Sequence, residues 1–207
     1  MQPGLSSRDM VSPATIYCTL DEIIAKLIFF GYTSFMKNLE KNQLDILLNI
    51  IGSNPSQRIV HFSDGGTQLI EALEEYCQPK EYQYQVNCIN DNFYNNMLEK
   101  YESSQYIKVK KVPLQRKSYM MQGKQYDYLF VSNSIANKDR DEFLKKVHKI
   151  ILNSGNIVLF IEKDNLKDRY EWSQLLEDNN FVATNTIDDM FEHYDIVISK
   201  KMHGWGS

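Results

Sequence analysis

The chain predicts an α/β fold of three layers. A seven-stranded, mostly parallel sheet is covered by helices, closes with a C-terminal antiparallel strand pair, and follows an N-terminal helical extension. Three observations point there. Apolar strand-length runs alternate with amphipathic helical stretches, as in parallel sheets covered by helices. Two of the runs, Tyr126–Val131 and Asn156–Ile161, are apolar almost throughout, as strands buried on both faces are. The last two, Phe181–Thr186 and Asp195–Ser199, are separated by a short acidic turn over 188–194 and read as an antiparallel pair.

Taken in order, residues 1–15 are polar, carry Pro3, Gly4 and Pro13, and predict a loose start. Two helices follow: Leu20–Phe30, stopped by Gly31, and 34–51, whose Leu39, Leu44, Leu47, Leu48 and Ile51 fall on one side. Thr33 or Ser34 is placed to cap the second helix and Gly52 to end it. Strand Arg58–Phe62 leads through the turn Asp64-Gly65-Gly66 to helix Thr67–Cys77, with Leu69, Ile70 and Leu73 inward. Strand Gln83–Ile89 and helix Asn92–Tyr101 come next, the helix with Phe93, Met97 and Leu98 inward. In strand Ile107–Val112 lysine alternates with valine, which predicts a sheet edge with one wet face. The second half runs Tyr126–Val131, helix Arg140–Leu152, a turn at Gly155, Asn156–Ile161 and helix Arg169–Asn179. The expected division is a helical extension over 1–55 and a sheet domain over 56–207.

Composition narrows the function classes. Net charge is −4 and the pI about 5.6, so no global basic field draws in nucleic acid or an anionic membrane. Cys18, Cys77 and Cys88 form no metal-ligand spacing, which argues against a zinc site. An odd cysteine count without a secretion signal predicts a reducing cytoplasm. The apolar run Ile23–Phe30 contains Lys26 and is too short to span a bilayer.

Parallel sheets bind ligands at the carboxyl ends of their strands, so the loops there hold the candidate chemistry. Asp64-Gly65-Gly66 either cradles a ligand or is a tight turn that uses glycine for positive dihedral angles. Asp91 either binds a ligand hydroxyl or caps the helix that follows it. His61 is a polar ligand contact or a satisfied core histidine, and His203 closes over a site or frays with the terminus. The stretch 108–124 carries six cations, Lys108, Lys110, Lys111, Arg116, Lys117 and Lys124, around Tyr119, Met120 and Met121. A solvated edge is the preferred reading there, and a polyanion grip the alternative.

From Arg58 to Lys201 the sequence resembles the class I S-adenosylmethionine-dependent methyltransferases, whose Rossmann-like sheet ends in an antiparallel pair. Residues 141–159, from Asp141 to Leu159, look like that family's helix, its L-x-P-G-G turn and its fifth strand. Residues 175–181, from Leu175 to Phe181, look like its last helix and the start of its sixth strand. The cofactor loop departs from the family. Aligned on Ile59–Thr67, the acidic position holds His61, the first glycine is Ser63 and the last is Thr67. The ribose carboxylate falls at Asn90, with Asp91 beside it. After the fourth strand, Val131-Ser132-Asn133-Ser134-Ile135 lacks the paired prolines of enzymes that methylate exocyclic base amines.

The resemblance implies methyl transfer from S-adenosylmethionine to a small or moderate-sized acceptor, leaving S-adenosylhomocysteine. It implies cofactor contacts at Ser63, Asp64, Gly65, Gly66, Asn90, Asp91, Ser132 and Asn133, and no metal. Methyl transfer needs no enzyme nucleophile, only alignment and exclusion of water, so no catalytic residue is assigned by type. The amino-terminal helices, with Tyr17, Phe29, Phe30 and Tyr32, form either a lid or a packing or homodimer element. A methyltransferase-like scaffold without catalysis is the main alternative. A nicotinamide-dependent dehydrogenase fits less well, because the first loop lacks G-x-G-x-x-G. Another group transfer from the same type of cofactor stays open.

Overall fold

The leucines expected on one side of the second helix are there. Leu44, Leu47 and Leu48 are buried on α1 (Lys41–Leu48), with Leu39 and Ile51 buried at its two ends. The computed structural model describes residues 39–120, 125–163 and 166–202, which all lie in one compact unit, Ser34–Ser207. The expected helix Leu20–Phe30, the caps Thr33 and Ser34, the aromatic residues at 17, 29, 30 and 32, and His203 lie outside the described residues. Asn49, not Gly52, is the C-cap of α1. The Gly52 amide instead donates to the Tyr128 hydroxyl at 3.0 Å, and that hydroxyl donates to the Ile50 carbonyl, also at 3.0 Å. The turn after α1 is thereby tied to the middle of the sheet.

The remaining elements alternate as expected. They are β1 (Arg58–Ser63), α2 (Gln68–Cys77), a 3-10 turn (Gln78–Lys80), β2 (Gln83–Cys88), α3 (Asp91–Tyr101), β3 (Ile107–Lys111) and β4 (Tyr126–Val131). Then come α4 (Asn137–Ile150), β5 (Ile151–Glu162), α5 (Leu166–Asp178), β6 (Phe181–Ile187) and β7 (Tyr194–Lys201). The seven strands form one sheet in the order β3-β2-β1-β4-β5-β7-β6. Every pair from β3 to β5 is parallel, and β7 runs antiparallel between β5 and β6. The lysine-bearing strand β3 is at the edge.

Alternation along the strands builds two cores. Ile59 of β1 faces α1, α2 and α3, where Leu47, Ile70, Leu73 and Phe93 pack, with Phe130 of β4 in the same core. Val60 and Phe62 face α4 and α5, where Phe143, Leu144, Val147, Trp172 and Leu176 pack.

Three expectations are corrected. Leu98 is 43% exposed; α3 buries Phe93, Met97 and Tyr101, a stripe at spacing four that rotates Leu98 outward. Helix α4 begins at Asn137, so Arg140 lies inside its first turn; Asn137, Lys138 and Asp139 are polar enough to read as loop. Finally, α4 ends at Ile150, and Gly155 lies within β5. Tyr126 pairs with Ile151 and Tyr128 with Asn156, so residues 152–155 loop out of the ladder as a bulge, with Ser154 at φ 66°. A Cβ at Gly155 would stand 2.9 Å from the Asp127 carbonyl oxygen, which explains the glycine.

Candidate functional site

Five parallel strands put their carboxyl ends on one edge, and the strand order reverses between β1 and β4. The chain leaves β1 for α2 on one face and β4 for α4 on the other, which opens a crevice at that switch point. All eight expected residues lie along this edge. Ser63 ends β1, Asp64, Gly65 and Gly66 form the loop after it, Asn90 and Asp91 open α3, and Ser132 and Asn133 follow β4. The structure joins them in pairs. The Ser132 hydroxyl donates to the Ser63 hydroxyl at 3.2 Å, and the Asn90 amide donates to the Asp64 carbonyl at 3.1 Å.

His61 organises the crevice from beneath. It is fully buried, with Nδ1 3.0 Å from the Tyr84 hydroxyl and Nε2 2.6 Å from the Ser132 hydroxyl. The directions of these bonds follow from the far end of the chain. Ser63 donates to the Gly65 carbonyl at 3.0 Å, so its oxygen accepts from Ser132. With its own proton so used, Ser132 accepts from His61 Nε2–H, and Nδ1 accepts from Tyr84. The result is one line of hydrogen bonds, Tyr84 to His61 to Ser132 to Ser63 to the Gly65 carbonyl, with a neutral imidazole at its centre. Burial pushes the His61 pKa down to about 3, in keeping with that neutral ring. At a position where the resemblance implied a carboxylate, this chain places a histidine that braces the 63–66 loop against β4.

The loop itself is permissive. A Cβ at Gly65 would meet nothing within 4 Å, so open space lies above it. Gly66 has φ 73°, the left-handed conformation glycine adopts without strain, and alone supplies the positive dihedral expected of the pair. Burial raises the Asp64 carboxyl to about 6, the largest effect on it, so it titrates near neutrality.

The cap of α3 is Asn90, not Asp91: the Asn90 side chain accepts from the Phe93 amide at 2.8 Å. Asp91 is the first helical residue, with a side chain 69% exposed and 2.6 Å from Lys111 Nζ. Both ends of the Asn90 amide are engaged, and Asp91, paired with Lys111, is the exposed carboxylate at this corner. Asn90→Ala is expected to lower stability by roughly 1 kcal/mol and Asp91→Ala by less than about 0.5 kcal/mol. Urea unfolding of the two variants checks the assignment.

Asn133 is 4% exposed and its Nδ2 donates to the Ser134 carbonyl at 3.1 Å, which fixes the amide orientation. Its Oδ1 is buried without a partner, a state that costs about 1–3 kcal/mol. Asn133 also lines a cavity of about 300 Å³ between the ends of β4 and β5 and the first turns of α4 and α5. Arg140, Asp168, Glu171 and Trp172 line it too, none of them singled out from the sequence. One signal was legible: Arg140 shares its spacing with Phe143, Leu144 and Val147, a cation on an apolar stripe.

In the described part of the basic segment, Tyr119 is buried with its hydroxyl donating to the Leu114 carbonyl, and Lys111 is paired with Asp91. Burial lifts the Cys77 and Cys88 thiols to about 12, which leaves them unreactive.

No protein-family profile and no curated protein matches the sequence. Solved structures do match, and they define the class of the fold: it is that of the class I S-adenosylmethionine-dependent methyltransferases. The CurJ carbon methyltransferase superposes with TM-score 0.63 at 13% identity, over 86% of this chain and 58% of that one. A TehB-like S-adenosylmethionine-dependent methyltransferase from Corynebacterium glutamicum gives 0.61 at 8% identity, over 87% and 97%. Fibrillarin from Aeropyrum pernix, with natively bound S-adenosyl-L-methionine, gives 0.60 at 9% identity, over 77% and 74%. The present chain thus spans somewhat more than half of the CurJ protein's length and nearly all of the TehB-like one.

Proposed function

We propose that this chain binds S-adenosylmethionine across the Ser63–Gly66 loop and transfers its methyl group to a small or moderate-sized acceptor. The observation that carries the reading is the open space above Gly65 at the switch point between β1 and β4. Bound there, the cofactor supplies a methyl group activated on a positively charged sulfur. The chain's own part is placement. Gly65 and Gly66 let the backbone come close, Asp91 offers a carboxylate to ribose hydroxyls, and the Tyr84–His61–Ser132–Ser63 line holds the loop still. Asp64 places a second carboxylate in the loop.

Two measurements test this. Asp91→Ala is expected to weaken S-adenosylmethionine binding by roughly 1–3 kcal/mol, the scale of a lost charge-assisted hydrogen bond, with the fold intact. Unchanged affinity removes Asp91 from the site. The Asp64 carboxyl titrates near 6 and is ionised above that, so affinity for the cationic cofactor is expected to rise up to about tenfold between pH 5 and 7.5. Asp64→Asn is expected to flatten that profile; a wild-type profile already flat would detach Asp64 from the cofactor.

The hydrogen-bond line also favours a second reading, a scaffold without catalysis. It closes the Ser63 and Ser132 hydroxyl protons on the protein itself and stands where the family keeps a carboxylate. Absence of cofactor binding would select that reading.

A further inference from the structure

The cavity between β4 and β5 adjoins the loop, since Ser132, next to Asn133, is bonded to Ser63. Leu159, Ile135 and Trp172 give it a small apolar floor within a lining that is mostly polar. Its walls carry Glu162, Asp168 and Glu171 against Arg140 and Lys167, an excess of one negative charge. Neither cation is free to hold an anion. Arg140 donates through Nε to the Ile135 carbonyl at 3.0 Å, pairs with Asp168 at 2.6 Å, has Glu171 at 3.7 Å and stacks 4.8 Å over Trp172. Lys167 points outward, 84% exposed and 3.4 Å from Glu171. The positive ends of α4 and α5 open here too, but their first turns already hold Asp139 and Asp168. Two buried side-chain atoms of the described wall lack a hydrogen-bond partner: Arg140 Nη1, which lies 2.6 Å from Asp168 as an ion pair, and Asn133 Oδ1, an acceptor with no charge beside it on its own side chain. Asn133 is 96% buried and its Nδ2 is bound to Ser134, so Oδ1 is the acceptor left for a guest.

An apolar floor, a net negative wall and a missing donor describe one kind of guest. We propose that this cavity binds a small primary amine, its apolar body against Trp172 and Leu159 and its ammonium between Asn133 and Glu171.

 The reading rests on the proposed methyl transfer only for the guest's role, that of acceptor. In that role the amine loses one N–H proton to a carboxylate of the wall. Its lone pair forms the bond to the methyl carbon as the carbon–sulfur bond breaks and leaves its electrons on sulfur.

The test uses three probes of one shape, phenethylamine, 2-phenylethanol and 3-phenylpropionate, titrated into the full chain without cofactor at pH 7.5. Phenethylamine is expected to bind about tenfold more tightly than either of the others. Glu171→Gln keeps the shape of the wall and is expected to weaken phenethylamine several-fold while leaving 2-phenylethanol unchanged. Asn133→Leu is expected to do the same, and thermal melting shows whether that variant is folded. Equal binding of amine and alcohol, no amine binding at about 10 mM, or an unaffected Glu171→Gln variant overturns the proposal. A separate titration with S-adenosylhomocysteine keeps the two readings apart. Amine selectivity without homocysteine-cofactor binding sinks methyl transfer alone, and the reverse result sinks the amine site alone.

Discussion

His61→Ala is expected to destabilise the protein by roughly 3–5 kcal/mol, which chemical denaturation at pH 7.5 measures. The imidazole is fully buried between Tyr84 and Ser132, so its removal leaves a cavity and two hydroxyls without their partner. His61→Gln keeps a donor and an acceptor on one side chain and is expected to cost markedly less.

The same pair of proteins reports the protonation state. The folded pKa of His61 lies at about 3, below its ordinary value of 6.5. The unfolded chain therefore takes up a proton first as pH falls below 6.5, and wild-type stability drops relative to His61→Gln by about 1.4 kcal/mol per pH unit. That loss continues until the pH approaches 3, where the folded ring also protonates. Asp64 acts in the opposite sense between 3.8 and about 6, because its folded pKa is raised. It is present in both proteins and cancels in the difference. Parallel stability profiles from pH 7 to 4.5 would contradict a buried neutral imidazole.

Arg140→Met is the second large effect, expected at roughly 3–5 kcal/mol, the cost of removing one partner from a buried ion pair. The guanidinium is 7% exposed, and its loss leaves Asp168, itself 18% exposed, without that cation and the Ile135 carbonyl without its donor. Combining Arg140→Met with Asp168→Asn is expected to recover a good part of the loss, because the Asp168 charge that Arg140 balanced is removed together with it. Strict additivity of the two substitutions in thermal and urea unfolding would show that the pair is not coupled.

The layers and the strand order were legible because periodicity follows burial. Tyr126–Val131 reads as apolar since it is covered on both sides, and the lysines of Ile107–Lys111 show since that strand has a free edge. Boundaries were less legible where the chain bends inside an element. The loop-out at 152–155 resembles a turn in sequence, yet β5 pairs with β4 on both sides of it. The places of the loop residues Ser63–Gly66 could be read, but their contacts could not. Tyr84 and Ser132 reach His61 from positions 23 and 71 residues away. Only the register of three parallel strands brings them together, with His61 beside Val86 and Phe130. The cavity residues were hidden for a similar reason: Asp168, Glu171 and Trp172 share a face of α5, and only the packing of α5 beside α4 sets that face against Arg140.

The central claim is that the altered loop still receives the cofactor, and calorimetric titration of the full chain with S-adenosylhomocysteine at pH 7.5 tests it most directly. The proposed function predicts saturable one-to-one binding, on the order of micromolar, weakened by Asp91→Ala. An absence of heat up to millimolar concentration, in a protein shown by melting to be folded, would contradict it and leave the scaffold reading standing.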